Sequence, residues 1–368
     1  MALVILVVLG LLVLSVLLFV TVSPQFGGKL SKEQKERFVS SPNYKDGKFV
    51  NVNGADTNLG FGDMFKSLKG YFFPSPNTIP QNNIAVEHLD SLAIADYNGP
   101  TRLIWFGHST FLLQSSSKNI LIDPMFGEVP APNTMLGTSR FSKKLPIEIE
   151  QLPKIDAVVF SHDHYDHLDY GSVLLLKNKV DKFIVPLGLG AHLTAWGVSS
   201  NIIVELDWWK TTKFMDVEFI CTPAQHFSGR GFADKGNTLW SSWIINVGYE
   251  KIFFSGDSGY GPHFKEIGNK YGPFSFAMME CGQYNELWKE IHMMPEETAQ
   301  ASIDVRAERM MPIHWGAFKL AMHPWTEPVE RVSVKAKELG VDMIAPKIGQ
   351  PIYLEEPLPQ LEQWWLQF

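Results

Sequence analysis

The 368 residues suffice for one large domain or two ordinary ones, and 45% hydrophobic content with 25 Phe and 11 Trp supports a sizeable core. A net charge of −7 argues against a general nucleic-acid binder, which is usually basic. The two cysteines, Cys221 and Cys281, lie in apolar runs, so a disulfide framework is excluded and both read as buried thiols of a reducing compartment.

Ala2–Val22 carries no charge and no proline. As a helix it would be about 31 Å long, enough to cross a bilayer core. No Lys or Arg precedes it, and "FVTVSPQFGG" offers no small-residue cleavage site, so an uncleaved anchor is expected rather than a signal peptide. Lys29, Lys32, Lys35 and Arg37 follow the span, which by the positive-inside rule places the catalytic part in the cytoplasm. Residues 23–95 read as a juxtamembrane linker and an amphipathic N-terminal segment. Within them Ser31 and Gln34 stand at capping-box spacing and predict a short helix. In 61–76, Phe61, Met64, Phe65, Leu68 and Phe72 recur at helical spacing, which suits a core-packed helix or a membrane-facing lip.

From about Asp96 the chain changes to short apolar runs punctuated by Gly, Pro and Asp. "TRLIWF", "TFLLQ", "NILID", "DAVVF", "KFIVP", "NIIVEL", "VEFICT", "LWSSWIINV", "KIFFSG", "FSFAMM" and "ERMMPI" predict strands. "YGSVLLLKN", "PEETAQASIDVRA" and "EPVERVSVKAKELG" predict helices. Strands and helices interleave, so the class is α/β in layers over 96–355, with a C-terminal tail at 356–368.

Four of the predicted strands run into metal-ligand chemistry. "DAVVF" leads into "SHDHYDHLD" with His162, His164, Asp166 and His167; "VEFICT" leads to His226; "KIFFSG" to Asp257; "ERMMPI" to His314. Four strands delivering ligands past their C-terminal ends imply one shared rim. Seven such residues exceed what one tetrahedral zinc ion takes and suit two Zn2+ ions. His162 and His164 can face one ion, Asp166 and His167 the other, and Asp257 can bridge. Asp163 and Asp169 are expected to be non-ligands. "GDSG" at 256–259 resembles a serine-protease loop, but Asp257 here ends a strand in the place of a metal bridge.

The order HxHxDH, His, Asp, His resembles the metallo-β-lactamase superfamily. "IWFGHSTFLLQ", "ILIDPMFG", "TPAQHFSGR", "FFSGDSGYGPHFKEIGNKYGPF", "HMMPEETAQ" and "IHWGAFKLA" narrow the resemblance to the N-acyl-phosphatidylethanolamine-hydrolysing phospholipase D family over about residues 100–350. The resemblance implies an αββα sandwich, here behind an N-terminal transmembrane helix. It implies one zinc on His162, His164 and His226, and another on Asp166, His167 and His314, with Asp257 between them. It also implies attack of a dizinc-bound hydroxide on a phosphodiester, with Asp166 and Asp257 as catalytic ligands. N-acyl-phosphatidylethanolamine would then yield phosphatidic acid and N-acylethanolamine. His292 is expected at the groove, on the phosphate or the leaving group, with Tyr284 a second substrate contact. Asp123 in "LIDP" reads as the partner that orients a metal histidine, or as a simple turn. His108 stands between a near-site and a structural role; His88, His192, His263 and His323 read as ordinary. The phospholipid is the expected partner, nucleic acid is not, and a homodimer is suggested by the family. The alternatives are another hydrolase of the fold (lactonase, esterase or nuclease) and, in a different class, a non-catalytic membrane scaffold.

Overall fold

The computed structural model describes residues 1–55, 62, 66, 70, 73, 75–357 and 361–368. The amphipathic stretch read over 61–76 therefore lies largely outside the described residues. Helix α1 (Ala2–Val22) has no buried residue and matches the apolar run read as an anchor. Helix α2 (Lys32–Phe38) opens with the expected capping box: Gln34 N–H donates to Ser31 Oγ, and Ser31 N–H donates to Gln34 Oε1. A small hairpin follows, β1 (Tyr44–Lys45) and β2 (Lys48–Phe49). Phe38 and Phe49 are buried within the central core, so residues 23–55 are packed on the body of the molecule.

Two seven-stranded sheets form the body. The first begins with β3 (Arg102–Trp105), β4 (Phe111–Ser115), β5 (Lys118–Ile122), β6 (Ile155–Val159), β7 (Val180–Pro186) and β8 (Ile203–Leu206). The second contains β9 (Thr211–Phe214), β10 (Val217–Thr222), β11 (Ser242–Val247), β12 (Glu250–Phe254), β13 (Phe276–Glu280), β14 (Arg309–Ile313) and β15 (Asp342–Met343). Strand β16 (Pro351–Tyr353) returns to pair antiparallel with β3 and completes the first sheet.

Alternation along the strands explains the layering. Phe111 and Leu113 of β4 enter the central core while Leu112 faces outward; Phe219 and Cys221 of β10 point inward while Ile220 points out. The inward sets meet between the sheets. The outward face of the first sheet is covered by α4 (Tyr170–Leu176) and α5 (Gly190–Ala195), while a short helix, α3 (Ser91–Ala95), precedes β3 and adds Ile94 to the same apolar cluster. That of the second sheet is covered by α6 (His263–Tyr271), α7 (Pro295–Asp304) and α8 (Glu327–Leu339). Strands β5 to β8 are mutually parallel, as are β12 to β15. The interior ones among them are short, mostly apolar runs because both faces are covered. The result is the expected αββα sandwich.

The C-terminal residues close the core. Trp364 and Trp365 are buried, and their rings pack with Trp105, Trp315 and Trp325.

Candidate metal centre

The C-terminal ends of β6, β10, β12 and β14 open on one edge of the sandwich, and all seven sequence-selected residues meet there. In one group His162 Nε2 lies 2.9 Å from His164 Nδ1, and His226 Nε2 lies 3.2 Å from that same atom. In a second group His314 Nε2 is 3.1 Å and His167 Nε2 3.4 Å from Asp166 Oδ2. Asp257 Oδ2 lies between them, 3.1 Å from both His167 and His314 and 3.8 Å from both His162 and His226. Gly256 makes this entry possible: its φ is +57°, and a Cβ there would approach the Ser241 carbonyl oxygen to 2.6 Å.

The partners of the far ring nitrogens set the tautomers. His167 Nδ1 is 2.7 Å from Asp123 Oδ2, His226 Nδ1 is 3.0 Å from the Ile291 carbonyl, and His314 Nδ1 is 3.2 Å from the Gly282 carbonyl. Each Nδ1 therefore carries the proton and donates, which leaves the Nε2 lone pair on the site. Asp123 follows β5 and also accepts from Ser161 N–H and Ser161 Oγ, so the residue expected to orient a metal histidine is in that place. His108 joins the site: its Nε2 is 2.8 Å from Asp166 Oδ2, and its ring lies 4.2 Å from that of His314.

Charge explains why this edge suits a cation. Burial lowers the pKa of His162, His164 and His226, and crowding by neighbouring imidazoles adds to this, so these rings are neutral. Burial also pulls His167 and His314 down, but Asp257 outweighs it, with Asp166 helping, and both rings are held well above the usual range. Burial opposes the ionised form of Asp166 and Asp257, yet the surrounding imidazoles hold both carboxyls well below theirs. Two buried carboxylates facing these Nε2 atoms call for a balancing positive charge, which a divalent cation would bring. His167 Nε2, which faces the cluster, and Asp257 Oδ1 are buried without a hydrogen-bond partner of good geometry. Imidazole nitrogen and carboxylate oxygen are the donor set for zinc and similar divalent ions. The residues fit the group.

The non-ligand expectation for the two neighbouring aspartates agrees with their hydrogen bonds. Asp163 accepts from Gly229 N–H and Thr238 Oγ1 and sits 3.2 Å from His192 Nε2, whereas Asp169 caps α4 through Ser172. His192 is thereby a brace behind the metal loop.

A groove of about 280 Å³ opens over the cluster, walled by Phe227, Leu287, Trp288, Ile291 and Leu320. His292 lines it, its ring 5.0 Å from that of His226 and 5.2 Å from that of His314. Tyr284 corrects the expectation of a substrate contact. Its hydroxyl donates to Glu327 Oε1 at 2.6 Å and its ring stacks on His323, while its neighbour Gln283 lines the groove instead. Sequence reasoning missed Glu280. This carboxylate ends β13, is fully buried, accepts from Met293 N–H, and lies 3.1 Å from His292 Nδ1 and 3.5 Å from His314 Nδ1. The signal was present, since "FSFAMME" is a fifth apolar run ending in a potential ligand.

Residues 118–315 match the family model of the beta-lactamase superfamily domain. A protein of Mycobacterium tuberculosis called uncharacterised is 38% identical over 88% of this chain and 87% of its own length. The N-acyl-phosphatidylethanolamine-hydrolyzing phospholipase D 1 of Caenorhabditis elegans is 33% identical over 66% of this chain and 70% of its own. Among solved structures, an isothiocyanate hydrolase from Delia radicum gut bacteria shares the fold, with a TM-score of 0.55 and 20% identity over 68% of this chain and 98% of that one. The fold, the rim of histidines and aspartates and these likenesses agree: the chain belongs to the metallo-β-lactamase superfamily and, within it, to the N-acyl-phosphatidylethanolamine-hydrolysing phospholipase D-like family.

Proposed function

We propose that the protein is a membrane-anchored, zinc-dependent phosphodiesterase of the phospholipase D type, acting on N-acyl-phosphatidylethanolamine. The fold implies divalent metal binding and hydrolysis; the ion, its number and the substrate are our reading. The observation that carries it is the position of Asp257 Oδ2 between two groups of metal donors, 3.1 Å from His167 and His314 and 3.8 Å from His162 and His226. In this reading His162, His164 and His226 hold one ion, Asp166, His167 and His314 the other, and Asp257 both. Bound there, the ions would supply Lewis acidity that acidifies a water and offsets charge on the phosphoryl oxygens.

The chain's own residues do the rest. Asp123, Glu280 and the Ile291 and Gly282 carbonyls hold the imidazoles in register. The apolar wall from Phe227 to Leu320 excludes water and suits acyl chains. Hydrolysis joins a water oxygen to phosphorus and releases the N-acylethanolamine oxygen, which takes up a proton. His292 is placed to act there. Glu280 occupies its Nδ1, so Nε2 is the nitrogen left for the groove. The products are phosphatidic acid and N-acylethanolamine.

Ala2–Val22 is the anchor of this reading, 23–95 the connecting segment, 96–355 the hydrolase domain and 356–368 the tail, with the hydrolase domain on the cytoplasmic side. The anchor supports a bilayer substrate. The test is a panel of N-acyl-phosphatidylethanolamine in micelles, a soluble phosphodiester and a lactone. Preferred turnover of the lipid is expected. Turnover of the soluble compounds alone would replace the phospholipase reading with a lactonase, esterase or nuclease, and no chelator-sensitive turnover at all would leave a scaffold.

A further inference from the structure

The chain leaves α1 and turns at once onto the back of the metal loop. Phe26 packs edge-on against Phe19 of the helix at 5.5 Å and against Tyr165 of the metal loop at 6.3 Å. Trp196 Nε1 donates to the Pro24 carbonyl at 2.7 Å, Arg230 Nε to the Gln25 carbonyl at 2.8 Å, and Gly28 N–H to His192 Nδ1 at 3.1 Å. The approach is close: a Cβ on Gly28 would lie 2.2 Å from the Ala191 carbonyl oxygen. No slack linker separates the helix from the body, so the end of α1 sets where the rest of the molecule meets the bilayer.

The loop Gly231–Lys235 stands beside that end. Its residues Gly231, Phe232, Ala233 and Asp234, with Val20, Thr21, Lys29 and Lys35, wall a cavity of about 410 Å³. Its base is braced on every side. Asp234 accepts from Arg230 N–H and Gly231 N–H, and Lys48 Nζ donates to the Ala233 and Lys235 carbonyls and to Asn237 Oδ1. Arg230 Nη1 donates to the Asp163 and Leu168 carbonyls and its guanidinium lies 4.0 Å over the Tyr165 ring, which ties the loop to the metal loop. At the tip of this rigid frame Phe232 is 83% exposed. A large ring this exposed, on a braced loop next to the apolar helix α1, is suited to the lipid interface. Lys29 and Lys35, both exposed, flank it at headgroup level.

We propose that the segment Pro24–Leu30 and the loop Gly231–Lys235 form a bilayer-docking face, with Phe232 inserted in the lipid interface, which holds the metal groove at a set height over the membrane. The partner is a phospholipid bilayer surface. The inference deepens the proposed function and rests on α1 spanning the membrane.

The test places single nitroxide labels on the full-length chain in vesicles of phosphatidylethanolamine and phosphatidylglycerol, through Phe232→Cys, Ala233→Cys, Leu12→Cys and Tyr249→Cys. Cys221 and Cys281 are buried and stay unlabelled. Collisions with oxygen, which partitions into lipid, are compared with collisions with aqueous chromium oxalate. Leu12 in α1 reports lipid, and Tyr249, fully exposed in the β11–β12 turn at the far end of β12 from Asp257, reports water. The expected oxygen-to-oxalate ratio at Phe232 falls between these two, and Ala233 follows it. A ratio at Phe232 equal to that at Tyr249, with Leu12 in lipid, overturns the docking face and leaves the anchor standing. An aqueous Leu12 overturns the anchor and the docking face together. Neither result depends on turnover, so the catalytic reading is judged separately.

Discussion

Asparagine in place of Asp257 keeps the side chain's shape and removes its charge, at an oxygen that lies within 3.8 Å of four imidazole nitrogens. Asp257→Asn should lower hydrolysis by about a thousandfold, the size of losing several kcal/mol of charge stabilisation. Circular dichroism should show an intact fold, and metal analysis a lowered content; unchanged turnover with full loading would remove Asp257 from the centre. Glu280 acts at one remove. Glu280→Gln keeps a hydrogen-bond acceptor for His292 but brings an amide N–H toward the Met293 N–H that the carboxylate now accepts. Outer partners of this kind are worth roughly 10 to 100-fold. The expected loss falls on kcat with KM little changed, and a change confined to KM would make Glu280 a groove-shaping residue only. "SHDHYDHLD" marked its candidate ligands in the sequence because the spacing of titratable residues within one short stretch is itself rare. Glu280 was marked only by the apolar run before it, a weaker signal than a cluster, since a lone acid has no titratable neighbour to single it out.

At the scale of elements, six strand ends supply the centre: β5 with Asp123, β6 with the histidine-rich loop, β10 with His226, β12 with Asp257, β13 with Glu280 and β14 with His314. An ion bound there ties the two sheets together across the edge. Chelation should abolish turnover and lower Tm by roughly 5 °C or more, because a ligand at a thousand times its Kd adds about 4 kcal/mol. Calorimetry with chelator and then with added zinc checks both the fall and its reversal; a Tm indifferent to chelator would mean that the sheets are joined without metal. The interior runs such as "DAVVF" and "VEFICT" were legible as strands because both faces are largely buried and most of their residues are apolar. Strands β9 and β16 were not: Thr211–Phe214 is polar and half exposed, and Pro351–Tyr353 has only three residues, so pairing decides both. Helix α6 was likewise missed, since His263–Tyr271 mixes glycine, asparagine and lysine with its two core residues, Phe264 and Ile267.

Across the whole molecule, both termini do work that their composition half conceals. Trp364 is 2% exposed, its ring packs with five aromatic neighbours, and its Nε1 donates to the Ala345 carbonyl. Trp364→Ala should cost about 3–5 kcal/mol, read by denaturant unfolding; a cost under about 1 kcal/mol would show that the final residues are dispensable to the core. Deleting Ala2–Val22 removes no buried side chain. The shortened chain should remain folded, fail to sediment with vesicles and keep its turnover of a soluble phosphodiester, whereas continued sedimentation would locate the membrane affinity elsewhere. The sequence by itself determined the apolar span, the alternation of strands and helices, and seven candidate metal donors placed after strands, because these depend on periodicity and local spacing. Only the tertiary structure decided that His108 and Glu280 lie against those residues, that Tyr284 turns to Glu327, and that residues after α1 pack onto the histidine-rich loop. Those relations join segments far apart in the chain, and their geometry exists only once the two sheets have packed.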